Sequence, residues 1–178
     1  MMLVVSCTKK VLSKYEDGSL RTIEISYPFS DRELVRVFMR NGLPLEEYEQ
    51  RNGLKDGSYT AYHPNGRLRI VQSYHNDTLQ GYEMVYSHSG SLISQGFFEK
   101  GLINGPVTHW DSLGTMILKS NFVDGEMQDT LHTYFPNGQL RSVGRYHDDK
   151  PVGTHLFFEQ NGDTLDSLNY NIVHSIGR

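Results

Sequence analysis

Residues 57–68 read Gly-Ser-Tyr-Thr-Ala-Tyr-His-Pro-Asn-Gly-Arg-Leu, and residues 129–140 read Asp-Thr-Leu-His-Thr-Tyr-Phe-Pro-Asn-Gly-Gln-Leu. Each is a short run rich in aromatic and β-branched residues, closed by Pro-Asn-Gly and restarted by an aliphatic residue. The two lie a multiple of 24 residues apart, and setting the chain against itself at that period aligns most of what remains. With repeats starting at 33, 57, 81, 105, 129 and 153, the tenth position is Gly42, Gly66, Gly90, Gly114, Gly138 and Gly162. The sixth is Phe38, Tyr62, Tyr86, Trp110, Tyr134 and Phe158. The eighteenth is Gln50, Tyr74, Phe98, Phe122, Tyr146 and Tyr170, and the twelfth is aliphatic in the four central repeats. Chance does not hold such columns in phase.

Each repeat predicts two strands, one over positions 2–7 and one over positions 12–18. The Asn-Gly pairs supply the left-handed residues of a tight hairpin. Asn76-Asp77 and Asp124-Gly125 mark a second turn that leads into the next repeat. Side chains alternate along a strand, so positions 12 and 18 share a face, and position 6 is expected to complete the same ridge from across the hairpin. The resulting fold is all-β: an elongated, single curved antiparallel sheet of stacked β-hairpins, each stable only against its neighbours. Six repeats give about 12 strands, or roughly 55–60 Å at strand spacing. Trp110 is expected to be buried in the middle of the stack. Gly18 and Leu20 fall in phase as well, so residues 11–32 read as a degenerate capping hairpin, residues 33–171 as the repeats and residues 172–178 as a C-terminal tail.

Composition fits a thin sheet. Apolar residues are 37% of the chain, yet aromatics reach 11%, with 11 Tyr and 8 Phe, so a few large rings must supply most of the buried area. Net charge is −4, from Lys+Arg 17 and Asp+Glu 21, and no basic cluster stands out. Nucleic acid is therefore a poor partner, since phosphate binding needs a concentrated basic footprint. No apolar run is long enough to span a bilayer as a helix. With one cysteine, Cys7, neither an intrachain disulfide nor a thiolate zinc site can form.

The unit G-x-x-x-x-Y-x-x-N-G-x-L in Gly57–Leu68 and, with Asp129 in place of the first glycine, in Asp129–Leu140 resembles the MORN repeat variant. The chain is similar to bacterial YwqK-like antitoxins over about residues 33–170. The resemblance implies an antiparallel sheet used for protein contacts, and some such proteins belong to polymorphic toxin loci or associate with membranes. Val4-Val5-Ser6-Cys7 also resembles a bacterial lipobox, although only six residues precede Cys7 and none is basic. Two readings of residues 1–10 stay open. Either they are a clipped lipoprotein signal whose cysteine carries the lipid, or Cys7 is an ordinary thiol beside a strand.

No catalytic signature is present: no G-x-S-x-G, no G-x-G-x-x-G, no P-loop and no H-E-x-x-H. Eight histidines invite a metal. Yet His75 and His147, which share position 19, lie three repeats or roughly 29 Å apart at strand spacing, and His63, His88, His109, His132 and His155 take five different positions. They read as surface and edge residues. Asp148-Asp149 reads as a solvated turn. No catalytic residue, metal or cofactor is expected. The odd-numbered side chains form the more informative face: Tyr59, Val85, His109, Leu131, Phe135, Arg141, Arg145 and Phe157 mix apolar and charged groups, which suits protein recognition or packing against residues 11–32 or another copy. The expectation is a non-enzymatic module that holds a polypeptide, with toxin neutralisation as the specific role the resemblance implies. The alternative is an envelope-anchored structural or surface lipoprotein that self-associates or binds wall polymer. The compartment is the cell envelope if Cys7 is lipidated and the cytoplasm otherwise, with membrane contact only through that anchor.

Overall fold

A computed structural model describes residues 7–173, with side chains through Asn171. Val4, Val5 and Ser6 of the lipobox-like stretch, and residues 174–178 of the tail, lie outside the described residues; Cys7 is exposed. The fold is all-β and antiparallel, hairpin after hairpin, in two compact units divided after Gly90.

The first unit contains β1 (Thr8–Lys14), β2 (Leu20–Ser26), β3 (Glu33–Phe38), β4 (Pro44–Arg51), β5 (Leu54–Tyr62), β6 (Leu68–His75), β7 (Thr78–Leu79) and β8 (Gly81–Tyr86). They pair in the order β1-β2-β3-β4-β5-β6-β8, with β7 a short addition to β6. The second contains β9 (Leu92–Glu99), β10 (Leu102–Ile103), β11 (Gly105–Trp110), β12 (Met116–Val123), β13 (Glu126–Tyr134), β14 (Leu140–His147), β15 (Lys150–Phe158) and β16 (Thr164–Asn169). They pair as β9-β11-β12-β13-β14-β15-β16, with β10 on β9, and a single helical turn, α1 (Tyr170–Val173), follows.

The turns differ from the sequence expectation in an instructive way. Within a hairpin only the tenth residue is left-handed: Gly66 has φ 81 and Gly138 has φ 83, whereas Asn65 and Asn137 keep ordinary backbone. The loop is thus a three-residue connection, a type I turn plus one left-handed glycine, and not a two-residue Asn-Gly turn. The asparagine serves through its side chain: Asn65 Oδ1 accepts the Arg67 N–H at 3.0 Å, and Asn137 Oδ1 that of Gln139 at 3.0 Å. Gly18 has φ 83 and donates to the Tyr15 carbonyl as Gly66 does to His63, so the first hairpin turns like the others; its strand begins at Thr8, ahead of the residue 11 expected. Two left-handed residues do occur between hairpins, as in Asn76 (φ 48) with Asp77 (φ 61) and Asp124 (φ 50) with Gly125 (φ 92). These are the mirror-image turns whose twist matches the flanking strands. Each bonds along the sheet margin to the strand that leaves the preceding such turn: Asp77 N–H donates to the Lys55 carbonyl at 2.9 Å, and Gly125 N–H to that of Ile103 at 2.9 Å.

Register corrects the expected single ridge. Position 3 pairs with 16 and position 5 with 14, as in Tyr59↔Gln72 and Ala61↔Ile70, so odd positions of the first strand face even positions of the second. One extra residue then intervenes, because position 6 pairs with 12, as in Tyr62↔Leu68, Trp110↔Met116 and Tyr134↔Leu140. Position 18 therefore lies with positions 3, 5, 14 and 16 on what is called here the 3/16 face. Position 6 lies on the opposite, 6/12 face. Contacts agree: Tyr74 meets Tyr59 edge-on at 5.8 Å, while Tyr62 donates its hydroxyl to Glu47 Oε1 at 2.6 Å, beside Arg36 on the other side. The sixth-position rings Phe38, Tyr62, Tyr86, Trp110, Tyr134 and Phe158 are half-buried, Trp110 included. The deepest side chains instead sit mostly at positions 3 and 5, with Val35, Ala61, Val107 and His155 among them.

Small residues at position 16 make room for that burial. Gly144 is buried, and a Cβ there would overlap the His155 imidazole. Gly144→Ala should cost about 1–3 kcal/mol in urea unfolding through overpacking, and the penalty should shrink in a His155→Ala background. Burial and the Glu47 carboxylate push the Tyr62 hydroxyl from 10.0 up to about 12. The neutral phenol is thus favoured on folding: its contribution is complete below pH 10 and is lost as pH rises from 10 towards 12. Tyr62→Phe should make the alkaline slope in a plot of stability against pH shallower, leaving the part that Tyr59 and the other raised tyrosines contribute.

Candidate interaction face

In residues 1–90 the 3/16 face is built around three tyrosines. Tyr48 and Tyr59 stack with centroids 6.4 Å apart, and Tyr74 closes the group. The Lys55 ammonium lies over all three rings, at 5.2, 4.6 and 5.2 Å from their centroids. Such placement is favourable because the ring faces are electron-rich. Carboxylates border the group: Tyr59 donates to Glu46 Oε2 at 2.8 Å, Gln50 to Glu24 Oε2 at 3.1 Å, and Gln72 to Glu83. Burial, then the Glu46 hydrogen bond, raises the Tyr59 hydroxyl well above its ordinary value. Tyr59 is only 9% exposed, so its expected place among partner contacts is corrected. Its ring is a packing element flanked by two tyrosines and covered by Lys55. Val85, half-buried, lies on the same face in the position-5 row.

At the margin of this unit Asp56 is buried to 2% exposure. Arg32 binds its Oδ1 through Nη2 at 2.6 Å and Nε at 3.1 Å, while His75 Nδ1 stands 3.2 Å from Oδ2 without hydrogen-bond geometry. The guanidinium hydrogen bond holds the Asp56 carboxyl below its usual range despite burial. This is a structural clamp between successive repeats, at positions 24 and 24.

In residues 91–178 the same face is almost uncharged. Phe122, Tyr146 and Tyr170, all at position 18, line it beside Val107, Leu131 and His155. His155 sits between two tyrosines, 5.2 Å from the Tyr146 ring and 4.6 Å from Tyr170, and its Nε2 is 2.9 Å from the Arg145 carbonyl. Two hollows share Phe157. One, about 220 Å³, is lined by Leu131, Gly144, Tyr146, His155 and Tyr170. The other, about 430 Å³, lies towards the hairpin turns between Phe135, Arg141, Phe158, Leu165 and Asp166. The Arg141 guanidinium stands 6.0 Å from the Phe135 centroid. The smaller hollow falls below the roughly 300 Å³ floor of small-molecule pockets; it suits one inserted side chain.

Of the eight residues expected on the contact face, Leu131, Phe135, Arg141 and Phe157 line these hollows, His109 on β11 shares the face by register, and Tyr59 and Val85 share the equivalent face of the first unit. Arg145 does not: it pairs with Thr130 at position 2 and so lies on the 6/12 face. The cause is the register, which exchanges parity across the hairpin. Sequence reasoning missed the position-18 rings, Lys55 and His155 as members of this face. The 24-residue period alone does not show this, because a turn centred on position 9 brings 18 opposite 1 only once the bulge residue is counted. Among the described residues no group of three or more His, Cys, Asp or Glu converges, and no helix is long and apolar enough to cross a membrane.

Residues 55–76, the hairpin of β5 and β6, match the MORN repeat variant family. No curated protein matches the chain. The matched hairpin carries the left-handed Gly57 and Gly66 and the Tyr59–Tyr74 contact, and the other hairpins repeat its columns.

Tyr59→Phe should cost about 1.5–3 kcal/mol, the net value of one hydrogen bond to a charged group, and Tyr59→Ala about 3–5 kcal/mol. Denaturant unfolding of both variants measures the difference; equal and negligible losses would show that the ring is not a core element.

Proposed function

We propose that this chain is a non-enzymatic binding module that holds a polypeptide partner on its 3/16 face, principally in residues 91–178. The observation that carries the reading is the row of position-18 rings beside two hollows that share Phe157, itself 36% exposed. An aromatic anchor site with one cation and one carboxylate at its rim has the composition of an interface centre, where a few rings carry most of the affinity. The MORN repeat match supports a repeat-based binding role. Toxin neutralisation is the specific form we favour, and it rests on the resemblance of the repeated unit to antitoxin proteins.

A second reading has one observation in its favour. Cys7 is exposed and β1 starts at the next residue, so a lipid on its sulfur would tether the sheet to a bilayer without disturbing any strand pair. Metabolic labelling with palmitate that is lost in Cys7→Ser would support an envelope anchor, and no labelling would end it.

The binding role is tested by capture from the native cell, followed by titration of the recovered polypeptide. Phe157→Ala and Leu131→Ala should each weaken binding by about 10- to 100-fold, while Arg145→Ala, on the other face, should leave it unchanged. If the three variants bind alike, the face is misassigned. Growth rescue on co-expression with a toxin gene of the same locus tests the narrower role.

A further inference from the structure

Among the described residues, β1 pairs only with β2 and β16 only with β15, so each leaves a row of backbone groups unpaired. The two edges are not alike. Residues 8–14 carry Lys9, Lys10 and Lys14 and no acid; residues 159–169 carry Glu159, Asp163 and Asp166 and no Lys or Arg. The three lysines and three acids are exposed. Apolar side chains stand among them on both edges, Val11 at 45% and Leu12 at 44% exposure, Leu165 at 63% and Leu168 at 41%.

The edges also match in register. Wherever one hairpin meets the next, position 4 pairs with 15 and position 5 with 14, as in Met84↔Val71 with Val85↔Ile70, Thr108↔Gln95 with His109↔Ser94, and Leu156↔Val143 with Phe157↔Ser142. β16 presents positions 12–17. On β1, Lys10↔Glu24 and Ser13↔Thr22 identify Lys10 and Ser13 as the equivalents of positions 3 and 5, with Leu12 as an added bulge residue. The junction used inside the chain therefore has its two halves displayed on the two edges. Applied between copies, it sets Val11 opposite Ser167 and Ser13 opposite Asp166, with Lys10 diagonal to Asp166 on one face.

We infer that β16 of one copy adds to β1 of another, so that the chain assembles head to tail with itself through the hairpin junction it uses internally. Charge selects this pairing from the three an open sheet allows: two β1 edges bring only lysines together, and two β16 edges, each with Asp166 and the flanking Asp163, only acids, while β1 on β16 joins opposite signs. The contact is heterologous, so its product extends beyond a dimer unless the rotation closes. The contact takes in Asp166 at the rim of the larger hollow, yet sedimentation of the chain alone reads it without the proposed partner, so the two are tested apart.

Sedimentation velocity of the full chain alone is the test. The weight-average sedimentation coefficient should rise with protein concentration and fall with added salt. The triple variant Lys9→Glu, Lys10→Glu, Lys14→Glu and the double variant Asp163→Lys, Asp166→Lys should each stay monomeric, with circular dichroism confirming that both fold. Mixing the two should restore assembly, because each then offers the edge that the other lacks. In a Cys7→Ser background, Ser13→Cys with Asp166→Cys should form disulfide-linked oligomers under mild oxidation. A chain monomeric at every concentration in low salt, or assembly indifferent to both charge reversals, overturns the inference and leaves the lysines and aspartates as groups that keep copies apart.

Discussion

One extra residue per hairpin decides which face every ring of this protein reaches. Side chains on a strand alternate with a period of two, so a single inserted residue sends everything beyond it to the other side. Here the insertion lies between positions 12 and 14 of the second strand, and it separates the sixth-position rings from the eighteenth. Tyr62 thereby meets Glu47 and Arg36, whereas Tyr74 meets Tyr59 and Lys55. A sheet one layer thick has no second layer to bury its rings. Splitting them between two surfaces gives each surface a half-covered ridge, and Val35 and Ala61 are among the few side chains that become deeply buried.

The two units use the same face differently because they differ at positions that the period does not constrain. Position 3 is Tyr59 in one hairpin and His155 in another; position 16 is Gln72, Ser120 or Gly144. Where position 16 carries a polar side chain, as at Gln72, the face closes through hydrogen bonds to Tyr74 and Glu83. Where it is glycine, the ring opposite sinks onto the backbone, as His155 does on Gly144, and hollows open around it. Repeat identity thus builds the scaffold, and departures from it shape the surface.

Most of the architecture was legible in the sequence. Glycine at position 10 marked each turn because a left-handed residue there is costly for any side chain with a Cβ. The 24-residue spacing then gave the number and direction of strands. The allocation of faces was not legible, since it depends on whether a loop holds two or three residues and on where the bulge falls. Asn65-Gly66 and Asn137-Gly138 suggest a two-residue turn by composition, yet Asn65 bonds to Arg67 through its side chain and lengthens the loop by one. The added residue at position 13 then exchanged parity and moved Arg145 away from Leu131 and Phe157. The burial of Asp56 was equally hidden, because its partner Arg32 is a full repeat away and outside any local motif.

Turns between hairpins are held by the strand that leaves the preceding such turn, Asp77 by Lys55, Gly125 by Ile103 and Asp149 by Met127. Each link spans 22 residues, the same offset every time, so the length of this molecule is quantised. A gene duplication or deletion of one whole period hands the next turn an identical socket, and the array closes again as though nothing had happened. Gain or loss of a single codon in between would strand one turn without its neighbour and reverse every strand up to it. Such a protein can grow or shrink only in steps of a hairpin, and unequal recombination between its own repeats is the mutation that it tolerates best.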